Sequence, residues 1–221
     1  MAAAAEPSSE RPLRRDAERN RARILEAARE VFATRGLAAT LDDVAHHAGV
    51  GVGTVYRRFP TKEALVSAAL VGRLEEVVAL AREALDAPTG WDGLATFLRR
   101  STDMQAEDSG LRDVVLRSDW AQAELCSMRD AIAPLVRALL DRAHAEGSLR
   151  PDVTAEDLPA IFVMVSQVAE HARDFRPDLH RRYCELLLDA LRARPGNSPL
   201  GEALSEAEAE QLTARWAPRR H

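Results

Sequence analysis

Residues 40–65 read TLDDVAHHAGVGVGTVYRRFPTKEAL, and this segment contains the start and end signals of two short helices separated by a glycine turn. Thr40 and Asp43 have the spacing of a capping box, which predicts that a helix begins near Leu41. Gly49 is expected to end that helix, because glycine adopts the left-handed conformation of a sharp helix exit at little cost. The apolar stripe of the helix, spaced for a 3.6-residue period, consists of Leu41, Val44, Ala45 and Ala48.

The second short helix predicts a surface that fits the major groove of DNA. Val55 and Phe59 are four residues apart, so both lie on one side and face the rest of the domain. At about 100° per residue, Arg57 then points away from the core and Arg58 lies on the flank. A guanidinium, a hydroxyl, a phenol and bare backbone suit a helix that reads bases, which indicates a helix-turn-helix. The residues expected to contact DNA here are Thr40, Gly51, Val52, Gly53, Thr54, Tyr56, Arg57 and Arg58.

A longer helix is expected before this pair, over residues 16–36, DAERNRARILEAAREVFATRG, with Gly36 as its stop. It would cover the two shorter helices, so three helices would make the domain. Residues 1–13 are rich in alanine, serine and proline, and we expect them to form a disordered arm. Arginines at the start of a helix suit a phosphate backbone or a minor groove. Those expected to contact DNA are Arg14, Arg15 and Arg19.

A third helix signal follows the second short helix. Pro60 closes the short helix, and Thr61 is placed to cap a long one. The first turn of that helix contains Lys62, the only lysine in the chain. An ammonium group beside the free N–H groups of a helix start favours phosphate, so we expect Lys62 to bind the DNA backbone. The sequence thus predicts a DNA-binding domain over residues 14–62.

These residues resemble the N-terminal pattern of the tetracycline-repressor (TetR) family of one-component bacterial regulators. In that pattern, a first helix ending in phenylalanine and glycine precedes a threonine cap, an alanine-glycine-valine turn, a helix from tyrosine to phenylalanine, and a lysine-glutamate helix start. The matching residues here are Phe32, Gly36, Thr40, Ala48, Gly49, Val50, Tyr56, Phe59, Lys62 and Glu63. The resemblance implies a DNA-binding N-terminal domain, an all-helical ligand-sensing C-terminal domain, and a homodimer that usually represses transcription.

One departure from the family pattern concerns the bases that are read. The family commonly places serine or a basic residue where this chain has Gly51 and Val52. Polar base reading by the start of the helix is therefore expected to be weaker, with more of the contact left to Thr54, Tyr56 and Arg57. Val52 is suited to contact a thymine methyl group. We expect the two helices of a dimer to bind a palindromic operator on double-stranded DNA, and a small-molecule inducer of unknown identity to release it.

Charge and composition indicate which part of the chain binds nucleic acid and where the protein is located. The net charge is −5, but residues 1–63 have 11 basic and 9 acidic side chains, whereas the remainder has 19 basic and 26 acidic ones. This asymmetry favours the N-terminal end as the part that binds nucleic acid. No run approaches the roughly 18 apolar residues of a membrane span and the start lacks a secretion signal, so we expect a cytoplasmic protein without a membrane partner. Cys126 and Cys184 indicate reduced thiols, with a redox sensor as the alternative.

Residues 63–193 are predicted to form a helical ligand-binding and dimerisation domain, since apolar residues recur at helical spacing and no stretch alternates as a strand would. The expected fold is therefore all-α. Residues 194–221 are predicted to be a linker followed by an amphipathic helix. That tail either lies back on the body, anchored by Leu212 and Trp216, or frays.

The last two core helices have more apolar residues than one buried stripe uses. The additional apolar surface must be covered, so we expect these helices to pack on their copies across a two-fold axis as a four-helix bundle. The residues expected at this homodimer interface are Ile161, Val165, Val168, Leu179, Tyr183, Leu186, Leu187 and Leu191.

The same domain offers candidates for a small-molecule pocket, formed by apolar walls with a few polar anchors. The candidate residues are Phe97, Met104, Trp120, Met128, His144, Phe162, Met164, Gln167 and His171. The alternative for each aromatic residue or methionine is that it simply fills the core.

Motifs of enzymes and metal sites are not found in the sequence. It has no Gly-x-Ser-x-Gly, no His-Glu-x-x-His, no phosphate-binding loop followed by lysine, and no cysteines paired at zinc spacing. His46 and His47 are adjacent on a helix, so their side chains diverge by about 100° and cannot share a metal. We therefore expect a regulator without cofactor or metal. The rival hypotheses are an enzyme or small-molecule binding module with a vestigial DNA-binding head, and an activator or low-specificity DNA-binding protein.

Overall fold

The chain folds into α-helices joined by short turns, and the computed structural model describes residues 10–107 and 122–215. In those residues, strand-like pairing is limited to one antiparallel bridge between Leu149 and Arg192, so the all-α fold class is confirmed. Among the described helices, we find no segment that combines the length and the hydropathy of a membrane span. The helices are α1 (Glu10–Arg35), α2 (Leu41–Ala48), α3 (Val52–Arg58), α4 (Lys62–Leu85), α5 (Gly90–Glu107), α6 (Gln122–Ala145), α7 (Leu158–Ala172), α8 (Leu179–Leu191) and α9 (Glu206–Arg215).

Helices α1 to α3 and the first part of α4 enclose one apolar core, which we call the head core. The predicted capping box of α2 is present: the Thr40 hydroxyl accepts from the Asp43 N–H at 3.1 Å, and the Thr40 N–H donates to the Asp43 carboxylate at 3.0 Å. Gly49 ends α2 with a φ of 62°, the left-handed conformation that was expected of it. The largest side chains of the head core are Ile24, Leu25, Val31, Phe32, Leu41, Val44, Val55, Phe59, Leu65 and Val66.

Helix α1 begins earlier than the sequence indicated. Residues 10–13 are helical, so the expectation that they belong to a disordered arm is wrong. Glu10, Arg11 and Leu13 are good helix formers, and Pro12 falls in the first turn, where its missing N–H removes no helical hydrogen bond. Residues 1–9 lie outside the described part of the chain.

Helix α4 belongs to two cores. Near its start, apolar side chains within residues 65–69 are buried in the head core, and near its end residues 80–84 contribute to the core of the C-terminal domain. Thr61 caps the helix as predicted, since its hydroxyl accepts from the Ala64 N–H at 3.1 Å. One continuous helix therefore joins the head to the C-terminal domain.

Helices α4, α5 and α6 approach one another closely where α5 begins. A Cβ on Gly93 would lie 2.3 Å from the carbonyl oxygen of Ala84 in α4, and a Cβ on Gly90 would lie 2.5 Å from the backbone nitrogen of Ala143 in α6. Both distances are far below van der Waals contact. Glycine is therefore required at both positions for these three backbones to meet.

The C-terminal tail returns to the body of the protein. Arg150 is buried, and its guanidinium donates to the Asp152 carboxylate at 2.7 Å and to the Ser198 carbonyl at 2.6 Å. The Leu200 N–H donates to the same carboxylate at 2.9 Å, and α9 then packs against α7. The tail thus follows the first of the two predicted alternatives. Trp216, one of its predicted anchors, lies outside the described residues.

Candidate functional site

Helix α3 is held in the head by one buried residue at its centre and another at its end. Val55 is fully buried and Phe59 is 5% exposed, so α3 packs on the head core along one side. On its other sides Val52 is 43% exposed and Tyr56 is 46% exposed. Gly51, the exposed N-cap residue, has an extended backbone. We call the exposed and half-exposed side of α3 the reading surface; it consists of Val52, Gly53, Thr54, Tyr56, Arg57 and Arg58.

The phenol of Tyr56 is held by helix α2. Its hydroxyl donates a hydrogen bond to the Asp42 carboxylate, and this bond, with the nearby negative charge, raises the pKa of Tyr56 above its ordinary value. The phenol therefore stays neutral, and α2 helps to set its orientation in the free protein. The sequence did not indicate this role of Asp42, because no spacing rule connects the first turn of one helix with the middle of another.

Two arginines of α1 fix the position of α2 beside the reading surface. Arg23 donates to the carbonyl of Ala48 at 2.6 Å and so provides a hydrogen-bond donor for one of the last carbonyl groups of α2. Arg35 pairs with Asp43, and the pKa of Asp43 is lowered first by the hydrogen bonds from Thr40 and then by Arg35. Because the Thr40 hydroxyl contacts Asp43 within its own cap, its predicted contact with DNA competes with that bond.

The remaining predicted DNA contacts lie at the edge of the head. Arg19 is exposed and pairs with Asp16 on α1. The ammonium of Lys62 lies 5.4 Å from the centroid of the Phe32 ring, a cation–π contact at the start of α4. Arg14 and Arg15 lie in α1, and their side chains are outside what the structure describes. The DNA contacts of all these residues stay predictions.

The two adjacent histidines of α2 are both exposed. His47 pairs through Nε2 with Glu30 of α1. Across residues 10–107 and 122–215, we find no group of three or more histidine, cysteine or carboxylate side chains placed to hold a metal ion. The structure therefore gives His47 a contact between helices.

A chain of ionic contacts connects the head to the C-terminal domain. Arg29 of α1 donates to Glu76 of α4 at 2.8 Å, and Glu76 also accepts from Arg73 at 2.6 Å. Arg73 in turn donates to the carbonyl of Met104 in α5 at 3.1 Å. Partial burial disfavours the charged form of Glu76, but the hydrogen bonds and charges of both arginines hold its pKa below the usual range. We call Arg29, Glu76 and Arg73 the ion-pair chain.

Glu76→Gln is expected to lower the free energy of unfolding by about 1–2 kcal/mol, because it leaves two largely buried arginines without their shared negative charge. Urea denaturation at neutral pH measures the effect. Glu75→Gln, an exposed neighbour on the same helix, is the matched control and should change stability by less than about 0.5 kcal/mol. The difference between wild type and Glu76→Gln should shrink as the pH falls through the lowered pKa of Glu76, since the protonated side chain no longer attracts the arginines. Equal stability of both variants at neutral pH would contradict this role.

Three of the predicted pocket residues belong to the apolar core of the C-terminal domain. The rings of Phe97 and Phe162 meet edge to face, with centroids 6.2 Å apart. Phe97 is buried, whereas Phe162 and Met104 are half-buried against the same core. Trp120, with the short helix predicted around it, lies outside the described residues, and so does the side chain of Met128.

Four other predicted pocket residues are not among the side chains of this core, and their assignment to a ligand pocket stays a prediction. Met164, Gln167 and His171 are exposed on α7, because their three- and four-residue spacing places them on one face and that face is turned away from the core. The Nδ1 atom of His171 contacts the carbonyl of Gln167 at 2.8 Å. His144 is half-buried, and its Nε2 atom lies 3.1 Å from the Arg150 carbonyl in the connection that follows α6.

The predicted dimer residues fall into two groups. Ile161, Val165 and Leu191 are buried in the core of their own protomer, which leaves little of their surface for a partner. The physical reason is that α7 and α8 both pack against α5, so the apolar residues of each helix serve two faces. The residues that remain accessible form what we call the α7–α8 surface, which includes the exposed Met164 as an addition to the prediction: Met164, Val168, Leu179, Tyr183, Leu186 and Leu187.

Two family models match the chain. The model described as bacterial regulatory proteins of the tetR family matches residues 24–69, which include α2, α3 and the start of α4. The model of the C-terminal domain of SbtR-like transcriptional regulators matches residues 90–193. The two matches fall on either side of the junction within α4.

Solved structures and a curated relative resemble most of the chain. The crystal structure of a TetR transcription regulatory protein from Mycobacterium vanbaalenii is 36% identical, covers 82% of this chain and 99% of that one, and superimposes with a TM-score of 0.65. The regulator SCO0520 from Streptomyces coelicolor is 31% identical, with coverage of 79% and 99% and a TM-score of 0.64. The HTH-type transcriptional repressor KstR2 of Rhodococcus jostii is 28% identical over 195 residues, which are 80% of this chain and 93% of that protein.

Proposed function

Because this chain belongs to the TetR family of bacterial transcriptional regulators, we propose that it is a homodimeric repressor that binds a palindromic operator and leaves it when a small molecule binds the C-terminal domain. The observation that supports operator binding is the reading surface, which is exposed on one side of α3 while Val55 anchors the other side. The relative from Rhodococcus is named a repressor, which supports the negative sign of regulation.

The reading surface suits duplex DNA by its shape and its chemistry. Helix α3 is short and leaves the side opposite Val55 exposed to solvent, so that side can enter a major groove, which is about 12 Å wide. Two arginines and a neutral tyrosine lie beside bare and apolar positions, which can supply both phosphate and base contacts. In a dimer, two such helices about 34 Å apart would meet successive major grooves.

Binding experiments on the purified protein test this proposal. We expect selection from a random duplex library to enrich a palindrome, and footprinting to show two protected half-sites about one helical turn apart. Affinity should fall steeply with salt if phosphate contacts dominate. A thermal-shift screen of metabolites should yield a compound that stabilises the protein and releases the selected duplex. Binding to all duplexes alike would support the low-specificity alternative instead.

Dimerisation is proposed to occur through the α7–α8 surface. In the protomer, Leu186 is 53% exposed and Tyr183 is 43% exposed, although both belong to one apolar side of α8. An accessible side of this kind on two neighbouring helices fits a four-helix bundle with a second copy. The interior of such a bundle would remove these side chains from water.

Leu186→Arg is expected to convert the dimer into a monomer, because a guanidinium would be buried without a partner at the centre of the bundle. Light scattering should then give the mass of one chain, 24.3 kDa, and operator affinity should fall with it. The matched control is Val71→Arg, which replaces an exposed apolar residue of α4 and should leave the dimer intact. A Leu186→Arg protein that stays dimeric would exclude this surface as the interface.

Ligand response is proposed to reach the head through α4. The candidate pocket residues Phe97, Met104 and Phe162 include one, Met104, whose carbonyl accepts from Arg73 of the ion-pair chain. A ligand that shifts the end of α5 would therefore act on α4, and through Glu76 on α1. Such a ligand releases DNA only if it binds the DNA-free arrangement more tightly than the DNA-bound one.

A further inference from the structure

Gly53 occupies the part of α3 that is most distant from the head core. Successive residues of a helix are turned by about 100°, so Gly53 lies about 160° around the helix from the buried Val55. Arg57 is one turn further along on nearly the same line. Gly53 is therefore at the centre of the reading surface, where a docked helix comes nearest to the floor of a groove.

The fold of the free protein does not explain a glycine at this position. A Cβ built on Gly53 meets no atom within 4 Å, so there is open space for a side chain. Its φ is not positive, in contrast to Gly49, whose φ of 62° serves the turn between α2 and α3. A glycine within a helix is also less stable than alanine, because it loses more backbone freedom on folding. In the absence of DNA, Gly53 therefore lowers the stability of α3, and no close contact or positive φ requires a glycine there.

We propose that Gly53 is the point at which the backbone of α3 contacts base edges in the major groove, and that it determines how deeply the helix docks. This inference rests on operator binding as proposed above. A methyl group at position 53 would hold the helix axis away from the bases. The contacts that the helix backbone and the short side chain of Val52 make with base edges would lengthen together, and both dispersion contacts and hydrogen bonds weaken steeply with distance.

Substitution of Gly53, which has no side chain, also distinguishes base reading from attraction to phosphates. Phosphate contacts come from long side chains such as arginine, which can adjust to a helix that sits slightly higher. Contacts between the helix backbone and base edges have no such freedom. Loss of Gly53 should therefore reduce the preference for the operator far more than the affinity for unrelated duplexes.

The test compares Gly53→Ala with the wild type in thermal unfolding and in binding to the duplex selected by the wild-type protein. We expect the Tm to rise by about 2 °C, since alanine favours the helix. Operator affinity should fall at least about tenfold, as for the loss of one base contact, while affinity for a scrambled duplex changes less than about twofold. Gly53→Leu should weaken operator binding further, because the side chain is larger.

Gly72→Ala is the matched control, since Gly72 also lies within a helix and a Cβ there would make only an ordinary 3.5 Å contact with Arg29. Its affinity for the operator should equal that of the wild type. The proposal is overturned if Gly53→Ala or Gly53→Leu binds the operator as tightly as the wild type. It is also overturned if both variants lose affinity for the scrambled duplex to the same extent as for the operator. If the wild-type protein selects no duplex at all, the proposed function fails, which is a different outcome.

Discussion

Gly93→Ala is expected to lower the free energy of unfolding by about 3 kcal/mol or more, and to lower the Tm by about 6–12 °C. The added Cβ would lie 2.3 Å from the carbonyl oxygen of Ala84, and a backbone atom of a neighbouring helix cannot move aside as a flexible side chain can. Helices α4 and α5 would have to separate, and the apolar side chains packed between them would lose contacts.

Urea denaturation followed by circular dichroism measures this loss, and Gly72→Ala serves as the matched control. The same chemical change at Gly72 meets only ordinary contact, so that variant should be as stable as the wild type or slightly more stable. A Gly93→Ala protein with wild-type stability would show that α4 and α5 do not approach as closely as described.

Arg57→Ala is expected to weaken operator binding by about 10- to 100-fold, the range for loss of a bidentate contact with a base. Arg57 is exposed and lies opposite the buried Val55, in the line of the reading surface that faces the groove. Binding to unrelated duplexes should change much less, so the ratio of specific to non-specific affinity should fall. Gel shifts with the selected and scrambled duplexes measure both quantities.

Arg58→Ala is the control that separates base reading from phosphate binding. Arg58 is exposed too, but it lies about 60° from Val55 around the helix, on the flank of the reading surface. Loss of Arg58 should lower the affinity for all duplexes alike and reduce the slope of log affinity against log salt by about one. Neither substitution should alter the mass by light scattering. If the two variants behaved identically, the assignment of base reading to Arg57 would be lost.

Local sequence signals predicted the head well, because each depends on residues close in the chain. The Thr40–Asp43 cap, the left-handed Gly49 and the burial of Val55 follow from spacing alone, and the structure shows all three. The start of α1 was the exception. A composition rich in alanine and proline indicated disorder, whereas the helix begins at Glu10.

The contacts that position the reading surface could not be predicted in this way. Tyr56 meets Asp42 of another helix, and Arg29 meets Glu76 across 47 positions of the chain. Such pairs depend on how whole helices pack, which a single sequence does not specify. Helix periodicity therefore placed these side chains on faces without giving their partners.

The C-terminal domain shows the same difficulty with apolar faces. Helix α7 is apolar on several sides, and periodicity cannot tell a side that packs on its own protomer from one that remains accessible. Ile161 and Val165 were expected at an interface but are buried within the protomer, whereas Met164 was expected in a pocket but is exposed. Only the packing of α7 against α5 and α8 decides between these outcomes.

The sharing of α4 between two cores has a mechanical consequence. With 24 residues at about 1.5 Å each, α4 is about 36 Å long. Its distal end is locked to α5 by backbone contact at Gly93, so it acts as a lever with a fixed pivot. A rotation of about 5° there would displace the end at Lys62 by about 3 Å, and opposite rotations in the proposed dimer would change the separation of the two α3 helices by about 6 Å. That is about twice the length of a hydrogen bond. A small rotation of α4 in the C-terminal domain would therefore misalign the two α3 helices with successive major grooves.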